Sequence, residues 1–411
     1  MKHCLLAALL ATTALATIAP VRAQGLPTGG SVAYGGVSIG RPQGGAMTIT
    51  QSSQNAIVNW QGFSIGRNNR VDIRQPNASA AILNRVTGST PSTIAGQLNA
   101  NGQVYLVNPN GITITRTGKV NAAAFVASSL DIANEDFKAG RRQFRGSGAS
   151  ARVTNRGAIT IGRGGYAALL GGEVRNAGTI RVPMGKVGLG SGERATLDLS
   201  GDGFLQVQVP TAKAGRGALI RHSGTISAEG GSVTLSAAAA RDMARHAVSI
   251  SGVVEATSVS GRNGLITLSG GDGAVVVGPK ARVAASGTGS EAGGRVRISG
   301  RTVSVAGRVE ASGATGGRVR IKAQERFALT GTVAALGSTG RGGRVVATAR
   351  GVALKGATVD VSGATGGGTV RLGGGRQGQG RLPPARPGRV DAGRTIRAAA
   401  TASGNGGDVV G

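Results

Sequence analysis

The chain has 411 residues, 74 of them glycine, with 47 Lys+Arg against 18 Asp+Glu, a formal charge of +29, one cysteine and 2% aromatic residues. Glycine stands at ~18% where about 7% is usual, yet no Gly-X-Y period accompanies it, so collagen is excluded. A hydrophobic content of 40%, carried mostly by Ala, Val, Ile and Leu, excludes a disordered polar tail and suits a stack of β-coils joined by tight glycine turns.

Residues 1–23 read as a secretory signal peptide. Met1-Lys2-His3 is a short basic n-region, Cys4 to Ile18 an apolar h-region too short to span a bilayer comfortably, and Val21-Arg22-Ala23 ends in the small residue that signal peptidase requires. Cleavage is expected between Ala23 and Gln24. Cys4 leaves with this segment, so the mature chain has no thiol for a disulfide, a thiolate metal site or a cysteine nucleophile.

Residues 24–210 hold nine of the ten aromatic side chains. Within them Asn155-Arg156-Gly157-Ala158-Ile159-Thr160-Ile161 returns 21 residues later as Asn176-Ala177-Gly178-Thr179-Ile180-Arg181-Val182. An asparagine ahead of each strand can stack on its counterpart in the next coil, or serve simply as a turn residue.

From 211 to 372 one phrase repeats: a short apolar strand, a Ser/Gly turn, a Gly-Gly pair and a second strand. It reads Gly224-Thr225-Ile226-Ser227-Ala228 with Gly230-Gly231-Ser232-Val233-Thr234-Leu235, then Gly307-Arg308-Val309-Glu310-Ala311 with Gly316-Gly317-Arg318-Val319-Arg320-Ile321, and starts again at Gly331 and Gly356. Such spacing is the signature of a solenoid whose units cannot hide an apolar face alone. Inside the strands the period is two, as in Arg295-Val296-Arg297-Ile298, with aliphatic residues to one side and arginine to the other. An all-β parallel β-helix is the expected fold, with hairpins of a β-sandwich as the alternative.

Residues 373–393 interrupt the phrase with arginines and Pro383-Pro384, and read as a loop insertion, since proline cannot donate to a ladder. Residues 394–411 resume it and stop at Gly411 inside an incomplete repeat, which reads as a fragment, a truncated form or an end covered by something else.

The blocks between Leu26 and Phe137 carry a resemblance. They are Leu26-Pro27-Thr28-Gly29-Gly30, Asn59-Trp60-Gln61-Gly62-Phe63-Ser64-Ile65-Gly66, Val71-Asp72-Ile73-Arg74-Gln75-Pro76, Ala81-Ile82-Leu83-Asn84-Arg85-Val86-Thr87-Gly88, Pro91-Ser92-Thr93-Ile94-Ala95-Gly96-Gln97-Leu98, Asn101-Gly102-Gln103-Val104-Tyr105-Leu106-Val107, Asn108-Pro109-Asn110-Gly111-Ile112, Ser128-Ser129-Leu130-Asp131-Ile132 and Asp136-Phe137. Together they resemble the N-terminal secretion domain of two-partner-secretion exoproteins, the filamentous haemagglutinin family. The resemblance implies a right-handed parallel β-helix with a capped N-terminal secretion domain. It also implies export through the periplasm and passage across the outer membrane by a dedicated β-barrel transporter with periplasmic recognition domains. It assigns a role in secretion to Asn108, Pro109, Asn110, Gly111 and Ile112. Read from its residues alone, Asn-Pro-Asn-Gly is a strong turn. Capping a coil and contacting the partner both fit it. Trp60 and Phe63 read as core or cap packing.

No catalytic, cofactor or metal constellation is found. His222 and His246 stand apart with no ligand spacing, the glycine-rich runs lack the Gly-Lys-Ser/Thr of a phosphate loop, and Gly270-Gly271-Asp272-Gly273 occurs once where a calcium-binding repeat needs several. The charge is mostly arginine, 39 of the 47 cations. Arg295, Arg318 and Arg344 fall in one repeat register and Arg297, Arg320 and Arg371 in another, which predicts outward ladders of like charge. Lipopolysaccharide or anionic host glycans suit such ladders better than specific nucleic acid, because the repeats offer almost no aromatic stacking platform. Diffuse attraction from an arginine-biased composition also accounts for them. The leading expectation is a secreted, non-enzymatic adhesin or surface stalk. Part of a secreted cytolysin or contact-dependent toxin of the same class is the alternative, and a polysaccharide-cleaving β-helix enzyme stands behind it.

Overall fold

The computed structural model describes residues 25–200, 203–212, 217–240, 246–373 and 393–410. The expected leader with its Ala23/Gln24 junction, nearly all of segment 373–393, and Gly411 lie outside the described residues. Among the described residues no helix is long and apolar enough to cross a membrane.

The chain winds into a parallel β-helix. From Lys119 onward each coil contributes up to three short strands, and each strand pairs in parallel with the equivalent strand one coil later. One ladder runs through Thr179–Arg181, Thr225–Ser227, Val253–Glu255, Arg282–Ala284, Arg308–Glu310, Thr332–Ala334, Thr358–Asp360 and Thr395–Arg397. A second runs through Lys186–Ser191, Ser232–Ala237, Leu265–Ser269, Arg295–Val305, Arg318–Leu329, Arg344–Thr348 and Thr369–Leu372. The third passes through Glu173–Asn176, Ile220–His222, Val248–Ile250 and Ala274–Val277 before joining the far halves of the long strands. All three ladders continue across residue 210 without a change of register.

Two-residue alternation explains why the coils close. On the first ladder Ile180, Ile226, Val254, Val283, Val309, Val333 and Val359 lie in one inward column, all but sealed from solvent. Burying branched side chains on their own kind contributes about 1.5–3 kcal/mol each, and β-branched residues favour the strand geometry that permits it. The corners are tight enough to need glycine. A Cβ on Gly317 would lie 2.2 Å from the carbonyl oxygen of Gly294 in the previous coil.

The repeat phrases read from sequence map onto successive coils, and the arginine columns onto neighbouring strands. Arg295 pairs in register with Arg318 and Arg318 with Arg344. In the second column Arg297 meets Arg320, but Val346 separates Arg320 from Arg371, so that ladder is interrupted where an unbroken one was expected.

The asparagines ahead of the strands do stack. Asn155 and Asn176 are buried in register, and Asn155 Nδ2 donates to Asn176 Oδ1 at 2.8 Å. The column continues to His222, which the sequence presents as isolated. Asn176 Nδ2 lies 3.1 Å from His222 Nδ1, and His222 Nε2 lies 2.9 Å from the carbonyl oxygen of Val253. An amide donor on one side and a carbonyl acceptor on the other fix the neutral Nε2–H tautomer. Burial pushes the His222 pKa below its ordinary value, against the opposing hydrogen bonds. The unfolded chain titrates this imidazole near ~6.5. As pH falls below that value the unfolded state takes up a proton that the folded state refuses, so stability present at neutral pH is lost, by at most about 1.4 kcal/mol per pH unit. Urea unfolding should therefore show a smaller drop between pH 7.5 and 5.5 for His222→Asn, which continues the amide column, than for the parent; equal slopes would remove His222 as the cause.

Candidate secretion-signal turn and its scaffold

The N-terminal end of the cylinder is closed by its own antiparallel strands. Ser31–Tyr34 pairs with Asn55–Trp60, Val37–Ile39 with Ala46–Gln51, and Thr28 bridges Gly62. Trp60 and Phe63 meet edge to face beneath this closure, with centroids 5.5 Å apart, and both are buried. The Trp60 indole N–H donates to the buried Asn84 Oδ1 at 3.0 Å. A Cβ on Gly30 would lie 2.7 Å from the Trp60 ring. The expected packing role of Trp60 and Phe63 is thus realised, and the blocks around Thr28, Trp60 and Asn84 form one capping unit.

On one flank of the early coils sits a second layer that the sequence reading missed. Four antiparallel strands, Asp131–Ile132, Gln143–Arg145, Arg194–Leu197 and Leu205–Gln208, and the short helix Asn134–Lys138 cover the outer surface of the coil strands. Here Leu83, Tyr105, Val107, Val126, Tyr166 and Leu170 are packed from outside by Leu130, Phe137, Phe144, Leu197, Phe204 and Leu205. The signal was present. Val104-Tyr105-Leu106-Val107 and Tyr166-Ala167-Ala168-Leu169-Leu170 are unbroken apolar runs, as strands buried on both faces require.

Arginine fastens this layer down. Arg85 Nε donates to Asp131 at 2.8 Å and its Nη1 to Asn134 Oδ1 at 2.7 Å. Arg142, almost wholly buried, donates to the Tyr105 hydroxyl at 2.7 Å and to the Phe137 carbonyl at 2.9 Å, and lies over both rings. Tyr105 and Tyr166 join their hydroxyls, and burial pushes both phenol pKa values up, so the pair stays protonated. Glu193 anchors the loop before Arg152: it accepts from the N–H groups of Gly148 and Ser150 at 3.0 Å each and from Ser150 Oγ at 2.6 Å. Burial alone would raise its pKa, but the hydrogen bonds from Ser150, Thr211 and these N–H groups outweigh it and hold the carboxyl below its ordinary value.

The five residues singled out in sequence divide into two groups at a corner of the helix. Asn108, Gly111 and Ile112 are buried, whereas Pro109 and Asn110 are exposed. Asn108 Nδ2 donates to the Thr90 carbonyl and to Ser92 Oγ, both at 2.9 Å, while its Oδ1 accepts the Asn110 N–H at 2.9 Å. The Gly111 N–H closes the turn onto the Asn108 carbonyl at 3.0 Å. Gly111 has a φ of 105°, where a side chain would be strained. Asn110 Nδ2 reaches back to the Gly88 carbonyl at 2.8 Å. Asn108 is therefore the staple of the turn, and Pro109-Asn110 is the part it displays. Among the described residues no group of three or more His, Cys, Asp or Glu side chains is placed to hold a metal ion.

Truncating Asn108 leaves the Asn110 N–H, the Thr90 carbonyl and the Ser92 hydroxyl short of partners. Asn108→Ala should cost about 2–3 kcal/mol in urea unfolding. An unchanged midpoint would show that the staple is dispensable.

Comparison with known proteins agrees with this architecture. The crystal structure of the HMW1 secretion domain from Haemophilus influenzae superposes with a TM-score of 0.74 at 28% identity, covering 90% of this chain and 99% of that one. A heme/hemopexin-binding protein of Haemophilus influenzae is 33% identical over 257 residues, which are 61% of this chain and 28% of that protein. A second heme/hemopexin-binding protein from the same species is 30% identical over 257 residues, 57% of this chain and 27% of that protein. The chain thus spans little more than a quarter of the length of these curated relatives. The family model described as TPS secretion domain matches residues 23–287, well over half of the sequence. The protein belongs to that family, the secretion domains of two-partner-secretion (TPS) exoproteins, which cross the outer membrane with a transporter partner.

Proposed function

We propose that this chain is a secreted, non-enzymatic exoprotein of a Gram-negative cell surface. Residues 24–210 address it to an outer-membrane β-barrel transporter with periplasmic recognition domains, and residues 211–372 with 394–411 form the shaft of an adhesin or surface stalk. The observation that carries the reading is the division of labour at the Asn108–Ile112 turn. A buried staple holds Pro109 and Asn110 outward at a corner, in a chain whose family works with a transporter partner. The second layer supports the assignment of residues 24–210, since its four strands and the core they seal are drawn from this stretch.

Physical chemistry gives the shaft a part in its own export. A repeat array is stabilised mainly by contacts between neighbouring coils, so an unfolded chain threading a pore can fold turn by turn as it emerges. Each coil added outside lowers the free energy and opposes back-sliding without nucleotide hydrolysis.

The test separates the staple from the displayed pair. With the transporter co-produced, Pro109→Ala/Asn110→Ala should keep most of the parental urea midpoint yet leave precursor in the periplasm, with at least about a tenfold loss from the medium, roughly 1.4 kcal/mol of partner recognition. Deletion of Asn108 to Ile112 should abolish release altogether. Parental levels of the deletion variant in the medium would refute the assignment of the turn.

A further inference from the structure

The shaft neutralises its cations on one side and leaves them bare on another. On the first ladder Arg282 is bound by Glu255 and, at 3.2 Å, by Glu310, which also holds Arg308 at 3.3 Å. On the second ladder the outward positions carry Arg295 and Arg297, Arg318 and Arg320 with Lys322, then Arg344, all exposed. Among the described residues no carboxylate pairs with any of these six, and the first acidic residue in either arginine column is Asp408, beyond Thr369. Arg371, farther along the second column, has a buried Nε without a hydrogen-bond acceptor.

Stacked strands set the geometry of this grid. Guanidinium stems repeat every ~4.8 Å from coil to coil and every ~6.6 Å along each strand. Like charges at that spacing repel, and an external anion relieves them. Beside the arginines runs a hydroxyl column, Ser236, Ser269 and Ser299, in register with Lys322 and then Thr348. Ser236, Ser269, Ser299 and Lys322 line a cleft of about 530 Å³ that Val207, Pro210 and one carboxylate, Asp272, also line. We propose that this face binds a linear anionic polysaccharide, one whose sulfate or carboxylate groups lie on the arginine grid while its hydroxyls bond to the serine column and cleft. Arginine pairs with both groups through two parallel N–H donors. No aromatic side chain stands at an outward position of these strands, from Leu265–Ser269 to Thr369–Leu372, so nucleic-acid bases find nothing to stack on.

The inference deepens the adhesin reading of the shaft and rests on it. Its test uses the full mature chain with heparin as the probe, neutral dextran as a blank and single-stranded DNA as the competing polyanion. Arg297→Gln/Arg318→Gln/Arg320→Gln should weaken heparin binding by about tenfold or more at ~0.15 M salt and flatten its salt dependence. Arg326→Gln/Arg350→Gln/Lys355→Gln, an equal charge change off the grid, should weaken it less than about threefold. Because all six side chains point outward, both triples should keep the parental urea midpoint. Equal losses in the two triples would mean diffuse attraction and overturn the proposal. So would DNA binding as tight as heparin binding with the same loss in the grid variant. Secretion is read separately: a grid variant that reaches the medium at parental level but binds no differently from the parent refutes the site and leaves the transporter address untouched.

Discussion

Parallel, in-register stacking of coils is the constraint on which the rest depends. Because every coil lies directly on the last, each backbone N–H and C=O in a strand finds its partner in a neighbouring coil, and each inward side chain meets the same kind of residue above and below it. Val296, Val319, Val345 and Val370 are one such column. Register is held by two-residue alternation, since a slip of one residue would turn the aliphatic column outward and drive arginine into the core. The glycine corners enforce it from the other side, because a carbonyl of the previous coil occupies the place a Cβ would need.

The same stacking multiplies whatever a strand carries outward. Where a coil repeats an arginine, a ladder of charge results; where a glutamate stands in the adjacent column, as Glu255 and Glu310 do, the ladder is neutralised locally. Inward polar residues are multiplied too. Asn155, Asn176 and His222 make a hydrogen-bonded chain with one direction, from an amide donor in one coil to a backbone carbonyl beyond the last. A polar chain buried in an aliphatic column holds only while every donor has an acceptor, so its members specify the register more sharply than valine does.

Much of the shaft was legible in the sequence because its signals are local and repeated: the alternation of Arg295-Val296-Arg297-Ile298, the Gly-Gly corners and the asparagines 21 residues apart. The Asn108–Gly111 turn was legible as a turn, but which of its residues are buried depends on Thr90 and Ser92 in the preceding coil, which no local pattern reveals. The second layer was the larger omission. Its strands are drawn from distant stretches, Gln143–Arg145 pairing with Asp131–Ile132 on one side and Arg194–Leu197 on the other, and no period links them. The excess of aromatic residues before Phe204 pointed to it, since Tyr105, Phe137, Phe144, Tyr166 and Phe204 fill the space between the two layers.

The glycine corners carry a last consequence. Gly294, Gly317 and Gly343 sit at equivalent places in successive coils, each closed against the carbonyl of the one before. Excising a whole turn between two such points brings together surfaces that already match, as does inserting one. The body can therefore lengthen or shorten by complete turns during evolution without a compensating change elsewhere, and a gene duplication confined to one turn yields a chain that is foldable from the outset.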